Sequence, residues 1–486
     1  MNITQAAVFA VLTIAMALAT WWTVRRMGSG TSEGGGRSTN SNREFFLAGG
    51  SLKWPFIAGS ITLTNLSTDQ LVGMNGNQML LLAWWELSAV AGLAILALVF
   101  LPIYYREGCT TTTELLQRKY GSKHLRALVS ALFLAGNVII YLPITLYTGA
   151  LFLRTVSGAD LPLLPLAAVL GVAGSLYAIL GGLRAVAVYD TIAGVGVLGS
   201  ALAIVWLTMD AVGWSFAGIP MERLSMIGGP ASPIPWPTLL TGMIFIQTFY
   251  WSTNQNITQR AMAAPNLREG QKGVFAAGII RLCIVPAIVV IPGVAAYKLF
   301  GVAGDATYGR VVAAVMPAWA SGAFAAFMAA AVLTHYTSIL NSSTTLYVCD
   351  LHESYVDAAP DVRRLNLWVS LSFVAASIAL VPVYAGATSI INLVQQLNGL
   401  LSMPILSAFI TGLIFRGVKA EAVMAALGFG VALYAVFTFV WTPIHYIHLM
   451  LVTLLACMAV ALALNHLMGG RARLVLRRTI PAGTMA

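Results

Sequence analysis

Residues 61–70 read Ile61-Thr62-Leu63-Thr64-Asn65-Leu66-Ser67-Thr68-Asp69-Gln70, a polar run inside an otherwise apolar stretch near residues 54–80. Thr, Ser, Asn and Asp side chains compete with the backbone for its own hydrogen bonds, so a membrane helix carrying this run is expected to open there. Opened backbone survives at membrane depth only where it is enclosed by protein or lines a wet cavity. A second run of the same kind, Gln247-Thr248-Phe249-Tyr250-Trp251-Ser252-Thr253-Asn254-Gln255-Asn256, falls in the apolar stretch near 237–260. Two interrupted helices predict a binding chamber between them. A plainer reading, in which these hydroxyls only bridge neighbouring helices, accounts for the same residues.

The surrounding chain is apolar almost throughout. Of 486 residues, 58% are hydrophobic and 9% charged, and mean hydropathy is +0.82. That composition excludes a soluble enzyme, a disordered tail and a fibre. Thirteen stretches are long enough to cross about 30 Å of hydrocarbon as helices. They lie near 3–24, 54–80, 81–103, 126–153, 161–180, 187–209, 237–260, 273–297, 317–349, 365–385, 388–413, 421–440 and 446–467. Long continuous runs, in place of alternating segments of about ten residues, exclude a transmembrane β-barrel. The expected fold is an all-α polytopic membrane protein with about 13 transmembrane helices, multi-pass in the cell membrane.

The polar runs open two successive five-span blocks, 54–209 and 237–413, as inverted repeats do. Residues 1–53 hold an extra N-terminal helix and a Gly/Ser/Thr-rich linker, Met27–Asn42, expected to be cytoplasmic. Residues 210–236 form an extracellular loop, and 414–486 two peripheral helices with a basic tail. Counted into alternate connectors, 22 of the 27 Lys and Arg residues fall on one side. Arg154, Arg223, Lys298 and Arg310 fall on the other, and Arg281 lies inside a span. The bias predicts an N-out, C-in topology. Arg25 and Arg26 follow the first apolar run and no basic residue precedes it, which argues for an uncleaved helix.

The net charge of +10 sits in short connectors and forms no basic face, so no nucleic-acid partner is expected. Cys109, Cys283, Cys349 and Cys457 have no CxxC spacing and read as lone buried thiols. Neither a phosphate-binding loop nor a catalytic triad or metal cluster accompanies the polar runs, so an enzyme and an ATP-driven pump are both disfavoured. Asp69, Glu86 and Asp190 each stand where a charge costs about 3 kcal/mol unless paired or hydrated, which marks function. Glu86 follows Trp84 and Trp85; a carboxylate accepts hydroxyl protons and an indole packs on sugar C–H bonds, a pairing suited to a polyhydroxylated ligand. An interfacial belt explains the tryptophans as well, and pairing with Lys or Arg explains Glu86.

In order between residues 46 and 342 come Phe46-Leu47-Ala48-Gly49, Asn65-Leu66-Ser67 through Gln70 with Gly73-Met74, Trp85-Glu86, Gly181-Gly182-Leu183-Arg184, Gln259-Arg260 with Gln271-Lys272-Gly273, Pro292-Gly293 and Leu340-Asn341-Ser342. These motifs resemble the solute:sodium symporter family, the sodium/sugar cotransporters and their bacterial relatives. Residues 249–255 look most like its YidK-type branch. The resemblance implies a LeuT-type 5+5 inverted-repeat core and alternating access. It implies sugar binding at Gln70, Glu86, Gln247 and Gln395, beside Asn65 and Asp69. Tyr250 would be the inner gate, with Met74, Trp85 and Ile391 at the outer gate. The family's pocket lysine has no clean counterpart, because Arg281 is offset by about one residue. An Arg there serves a carboxylate-bearing substrate, snorkels, or pairs with an acid.

The family's sodium site implies carbonyls of Leu63, Leu66 and Ala331 with the Thr334 hydroxyl, oxygen ligands for a hard cation. The second hydroxyl position is His335, which titrates near neutral pH. Either His335 carries a coupling proton in sodium's place, or it stays neutral while that sodium is lost or displaced. A second sodium pattern matches Asp190, Thr334, Thr337 and Ser338, although a run of hydroxyls there is also an ordinary helix seam. No cofactor is expected beyond the coupling ion, sodium or a proton. The expected function is cation-coupled import of a sugar-like solute; an uncoupled facilitator and a sensor are the competing classes.

Overall fold

The computed structural model describes residues 3–28, 47–66, 68–158, 161–357, 360–387 and 389–475. The expected linker lies outside these residues from position 29 onward, as do Phe46, Ser67 and residues 476–486. Helices account for nearly all regular structure; a two-residue antiparallel pair, Phe415–Arg416 with Leu474 and Arg473, is the exception among the described residues.

Both polar runs interrupt their helices. Helix α1 spans Ile3–Gly28; the first interrupted helix is then split into α2 (Trp54–Asn65) and α3 (Thr68–Asn77). Asp69 sits in the first turn of α3, where a carboxylate complements the helix dipole. Thr68 meets Thr148 hydroxyl to hydroxyl at 3.1 Å. After α4 (Trp84–Ile95), α5 (Lys123–Ala135), α6 (Leu142–Ser157) and α7 (Leu163–Ala211), the second interrupted helix is split into α8 (Ile244–Ser252) and α9 (Gln255–Met262). Asn254 caps α9 by accepting from the Asn256 amide at 3.0 Å. Thr253 bonds back to the Phe249 carbonyl at 2.8 Å. The remaining long helices are α10 (Leu267–Cys283), α11 (Val285–Phe300), α12 (Ala318–Leu346), α13 (Val362–Tyr384), α14 (Ile390–Ile414), α15 (Ala420–Ala435) and α16 (Tyr446–Leu467).

Ten helices among the described residues are long and apolar enough to cross a membrane. Of the thirteen expected spans, the three absent from that set are the two interrupted ones and the fifth. The fifth and sixth share α7, 49 residues in one helical run. A straight rod cannot satisfy its contacts. Thr337 donates to the Gly174 carbonyl at 2.9 Å, while Gly196 lies against the Phe327 ring. Those points are about 33 Å apart along α7 and about 15 Å apart along α12 at 1.5 Å per residue. The run therefore bends between Gly174 and Gly196.

Helix α12 is the axis of the bundle: 83% of its apolar window is buried, against 11% for the window of α1, which packs on the periphery. Gln5 of α1 reaches Ser321 of α12 at 2.8 Å. Small residues set the closest approaches. A Cβ on Gly92 would meet the Gln247 carbonyl at 2.4 Å, and one on Gly293 the Asn75 carbonyl at 2.3 Å. These contacts press α4 onto α8 and α11 onto α3, closing the bundle around both breaks. All four cysteines are free. Cys109, Cys349 and Cys457 are buried; Cys283, expected to be buried, is exposed because it lies on the outward side of the last turn of α10.

Candidate substrate and cation site

The two breaks meet at one cavity. Asn65, Asp69, Gln70 and Met74 line it from α2 and α3, Trp85 and Glu86 from α4, and Gln247 and Tyr250 from α8. His335 of α12 and Ile391 and Gln395 of α14 complete the wall. Every residue read from the sequence as substrate-binding or gating thus faces the same space. Tyr141, Ile246, Trp251, Val394 and Asn398 line it too and were not singled out as site residues.

Glu86 is buried and held from two sides. Gln70 donates through Nε2 to one carboxylate oxygen, and Arg281 of α10 donates through Nη2 to the other. The Arg281 guanidinium lies over the Trp251 ring, 4.6 Å from its centre. Trp251 donates through its indole nitrogen to Gln247 Oε1 at 2.9 Å, and the Gln247 amide donates to the Trp85 carbonyl (2.6 Å) and to Ser88 Oγ (2.9 Å). Of the roles open to Arg281, the geometry shows pairing with an acid.

On the side expected to face inward, the Tyr250 hydroxyl donates to Asn65 Oδ1 at 2.7 Å, joining the two interrupted helices at the cavity wall. Tyr141 donates to Asn398, whose amide donates to Gln395 Oε1 at 3.2 Å. On the side expected to face outward, Arg223 donates to the Asn77 and Gln78 carbonyls, each at 3.3 Å, and stacks on Tyr297. A cation there satisfies carbonyls that the end of α3 leaves open. Gln78 ends α3 at φ 54° and bonds the Gly301 carbonyl at 2.9 Å. Asp305 accepts from the Ile390 amide at 3.2 Å. Sequence reading missed this outer set, since its members lie up to about 300 residues apart and none is unusual alone.

The expected cation positions divide. Leu63 and Leu66 stand at the C-terminal end of α2, where unsatisfied carbonyls and the negative dipole end favour a cation. Thr334 donates to the Ala331 carbonyl at 3.1 Å. His335 Nε2 lies 3.8 Å from Asp69 Oδ1. Asp190 accepts from Ser60 at 2.6 Å and lies 4.0 Å from the Arg260 guanidinium, which itself donates to Ser60 at 2.7 Å. Thr337 is spent on Gly174, and the Ser338 hydroxyl is buried without a hydrogen-bond partner among the described residues. Away from the cavity, Asp350 collects Thr111, Thr113, Ser130 and Arg126, a buried cluster that the sequence did not advertise.

Two interrupted helices facing each other across a polar cavity, in an all-helical multi-pass bundle, define a membrane transporter of LeuT-type fold. A solved structure of a substrate-bound, outward-open Na+-coupled sialic acid symporter matches this fold with a TM-score of 0.81 at 16% identity, over 97% of this chain and 99% of that one. The transporter Mhp1 in a closed conformation matches with a TM-score of 0.56 at 15% identity, over 86% of this chain and 93% of that one. In sequence, the uncharacterized symporter YidK of Escherichia coli is 33% identical over 96% of this chain and 84% of its own length. The sodium/glucose cotransporter of Vibrio parahaemolyticus is 28% identical over 86% of this chain and 84% of its own length. The family model for the sodium:solute symporter family matches residues 45–430. The chain belongs to the sodium:solute symporter family.

Proposed function

We propose that this chain imports a sugar or sugar-like polyhydroxylated solute by alternating access, driven by sodium. The observation that carries this reading is Glu86, a carboxylate held by Gln70 on the wall of a cavity between two interrupted helices, with Trp85 and Gln247 beside it. Such a wall accepts hydroxyl protons and packs on C–H faces. A relative described as a sodium/glucose cotransporter supports the substrate class. The thirteen crossings, the N-out, C-in orientation and the repeats 54–209 and 237–413 belong to the same proposal.

Sodium at Leu63, Leu66, Ala331 and Thr334 ties α2 to α12 and favours the outward-open state. One charge moved through about 100 mV supplies about 2.3 kcal/mol, enough for roughly 50-fold accumulation. A second sodium at Asp190, with Thr334, Thr337 and Ser338, is supported by the unpartnered Ser338 hydroxyl; Arg260 competes with it for Asp190. Uptake of sugars and polyols into proteoliposomes, with and without a sodium gradient, tests the whole reading: no accumulation of any of them under that gradient overturns it. Asp190→Asn leaves the sodium titration unchanged if the second site is wrong.

One observation favours a second reading. His335 faces Asp69 at 3.8 Å, an acid–base pair joining α12 to α3, the second half of the interrupted helix whose first half the sodium would hold. Proton coupling through His335 predicts uptake in sodium-free vesicles under a pH gradient alone.

A further inference from the structure

Arg281 is fully buried, lies behind the cavity wall and is committed to Glu86 through Nη2. Its planar face is occupied by the Trp251 indole, and that indole is fixed in turn by Gln247. An Arg that receives a substrate carboxylate presents a free fork of donors to the ligand. Here one arm of the fork, Nη2, is turned onto a protein acid, while Nε and Nη1 are buried behind the wall without a hydrogen-bond partner among the described residues. Releasing it for a ligand would leave Glu86 buried without its counter-charge.

The charges facing the solute are therefore unbalanced toward the acids. Asp69 comes from α3, Glu86 from α4 and His335 from α12; Arg281 contributes from α10 through Glu86, and no Lys or Arg lines the cavity among the described residues. The tyrosine hydroxyls are spent as donors on Asn65 and Asn398, and the Gln247 amide on Trp85 and Ser88. What remains is a pair of acids able to accept hydroxyl protons, with the neutral donors of Gln395 and Trp85 and no Lys or Arg on the wall among the described residues to meet an anion.

We infer that Arg281 is a positioning and specificity-determining residue: by holding and neutralising Glu86 from behind the wall, it makes the cavity one for neutral polyols and shuts out sugar acids. This rests on the proposed sugar reading and divides that class. Glu86→Gln removes the acid while leaving the guanidinium, so the wall then favours an anion.

The test measures binding by calorimetry with the purified full chain at pH 7 in saturating sodium. Each neutral sugar is set beside its own acid: glucose with glucuronate, galactose with galacturonate. The expected result is that a neutral member binds and its uronate binds at least about tenfold more weakly, a difference of about 1.4 kcal/mol. Glu86→Gln should narrow or reverse that ratio, and Arg281→Lys should keep the preference for the neutral sugar at reduced affinity. A uronate that binds the unmodified protein as tightly as its neutral partner overturns the inference and leaves the sugar reading standing; this comparison needs no variant to fold. Binding of neither member of any pair overturns the sugar reading, and the inference with it.

Discussion

His335 on α12 and Asp69 in the first turn of α3 face each other across 3.8 Å on the wall of the cavity. His335 follows Thr334 in the chain, so the position where the expected sodium site has its second hydroxyl carries a base. Replacing it with Ser restores an oxygen ligand and should raise apparent sodium affinity about tenfold, about 1.4 kcal/mol. Sodium titration of uptake in reconstituted vesicles measures this. An unchanged titration in His335→Ser removes position 335 from the cation site.

Glu86→Ala should abolish uptake, because it deletes the acceptor and leaves the Arg281 charge buried and unpaired, a loss of about 3–5 kcal/mol. Gln70→Ala loses one charge-assisted hydrogen bond, about 1.5–3 kcal/mol, and should weaken substrate affinity by at least about tenfold with the bundle intact. Thermal unfolding read beside uptake separates the two effects. Normal transport by either variant takes that residue out of the site.

Tyr250→Phe removes the hydroxyl that donates to Asn65 and with it a bond of about 1 kcal/mol between the two interrupted helices, which the proposed inner gate would have to break. The inward-open population should rise roughly fivefold. Deuterium uptake by the backbone of residues 253–262 should quicken accordingly. Identical exchange in both proteins means that this bond does not bar the exit.

Arg223→Ala deletes two bonds to the end of α3 and the stacking on Tyr297. The outer closure should lose about 1–2 kcal/mol, and a cysteine placed at Trp85 should react faster with a membrane-impermeant thiol reagent added outside. Equal labelling rates with and without the Arg223 change would show that Arg223 does not hold the end of α3 closed over the cavity.

Asp305, in the loop between α11 and α12, has its carboxyl pushed up to about 6 by burial, against an ordinary value of 3.8. The folded protein therefore holds this proton more tightly than the unfolded chain. The contribution to stability is fully present below about pH 3.8 and is lost as pH rises through about 6, a change of up to about 3 kcal/mol. Asp305→Asn should be more stable than the unmodified protein above pH 6 and should lose that advantage in acid. Parallel melting curves for the two proteins across that range would contradict the burial of this acid.

Much of this was legible in one dimension. Hydropathy is a local sum, so the membrane class and most span positions follow from composition alone. The breaks were legible because Thr, Ser, Asn and Asp contend with their own backbone within a few residues. The interrupted helices end at Asn65 and Ser252, inside the two quoted runs. The boundary between the fifth and sixth expected spans has no counterpart as a helix end, since both fall in the one run of α7. Cys283 was misplaced because hydropathy reports membrane depth and not which face of a helix meets protein.

The sequence by itself determined that the chain lives in a bilayer, where its helices open, and which residue types gather at those openings. Only the tertiary structure decided which charges meet. Arg281 had an acid, a substrate carboxylate and the membrane surface as open choices, and the packing of α10 against α4 set it on Glu86, 195 residues away. Asp190 met Arg260 and Ser60, and Arg223 met the end of α3, by the same kind of long-range packing. The reason is physical: backbone opening depends on neighbours in the chain, whereas a buried charge takes its partner from whatever the folded helices bring within a few ångströms.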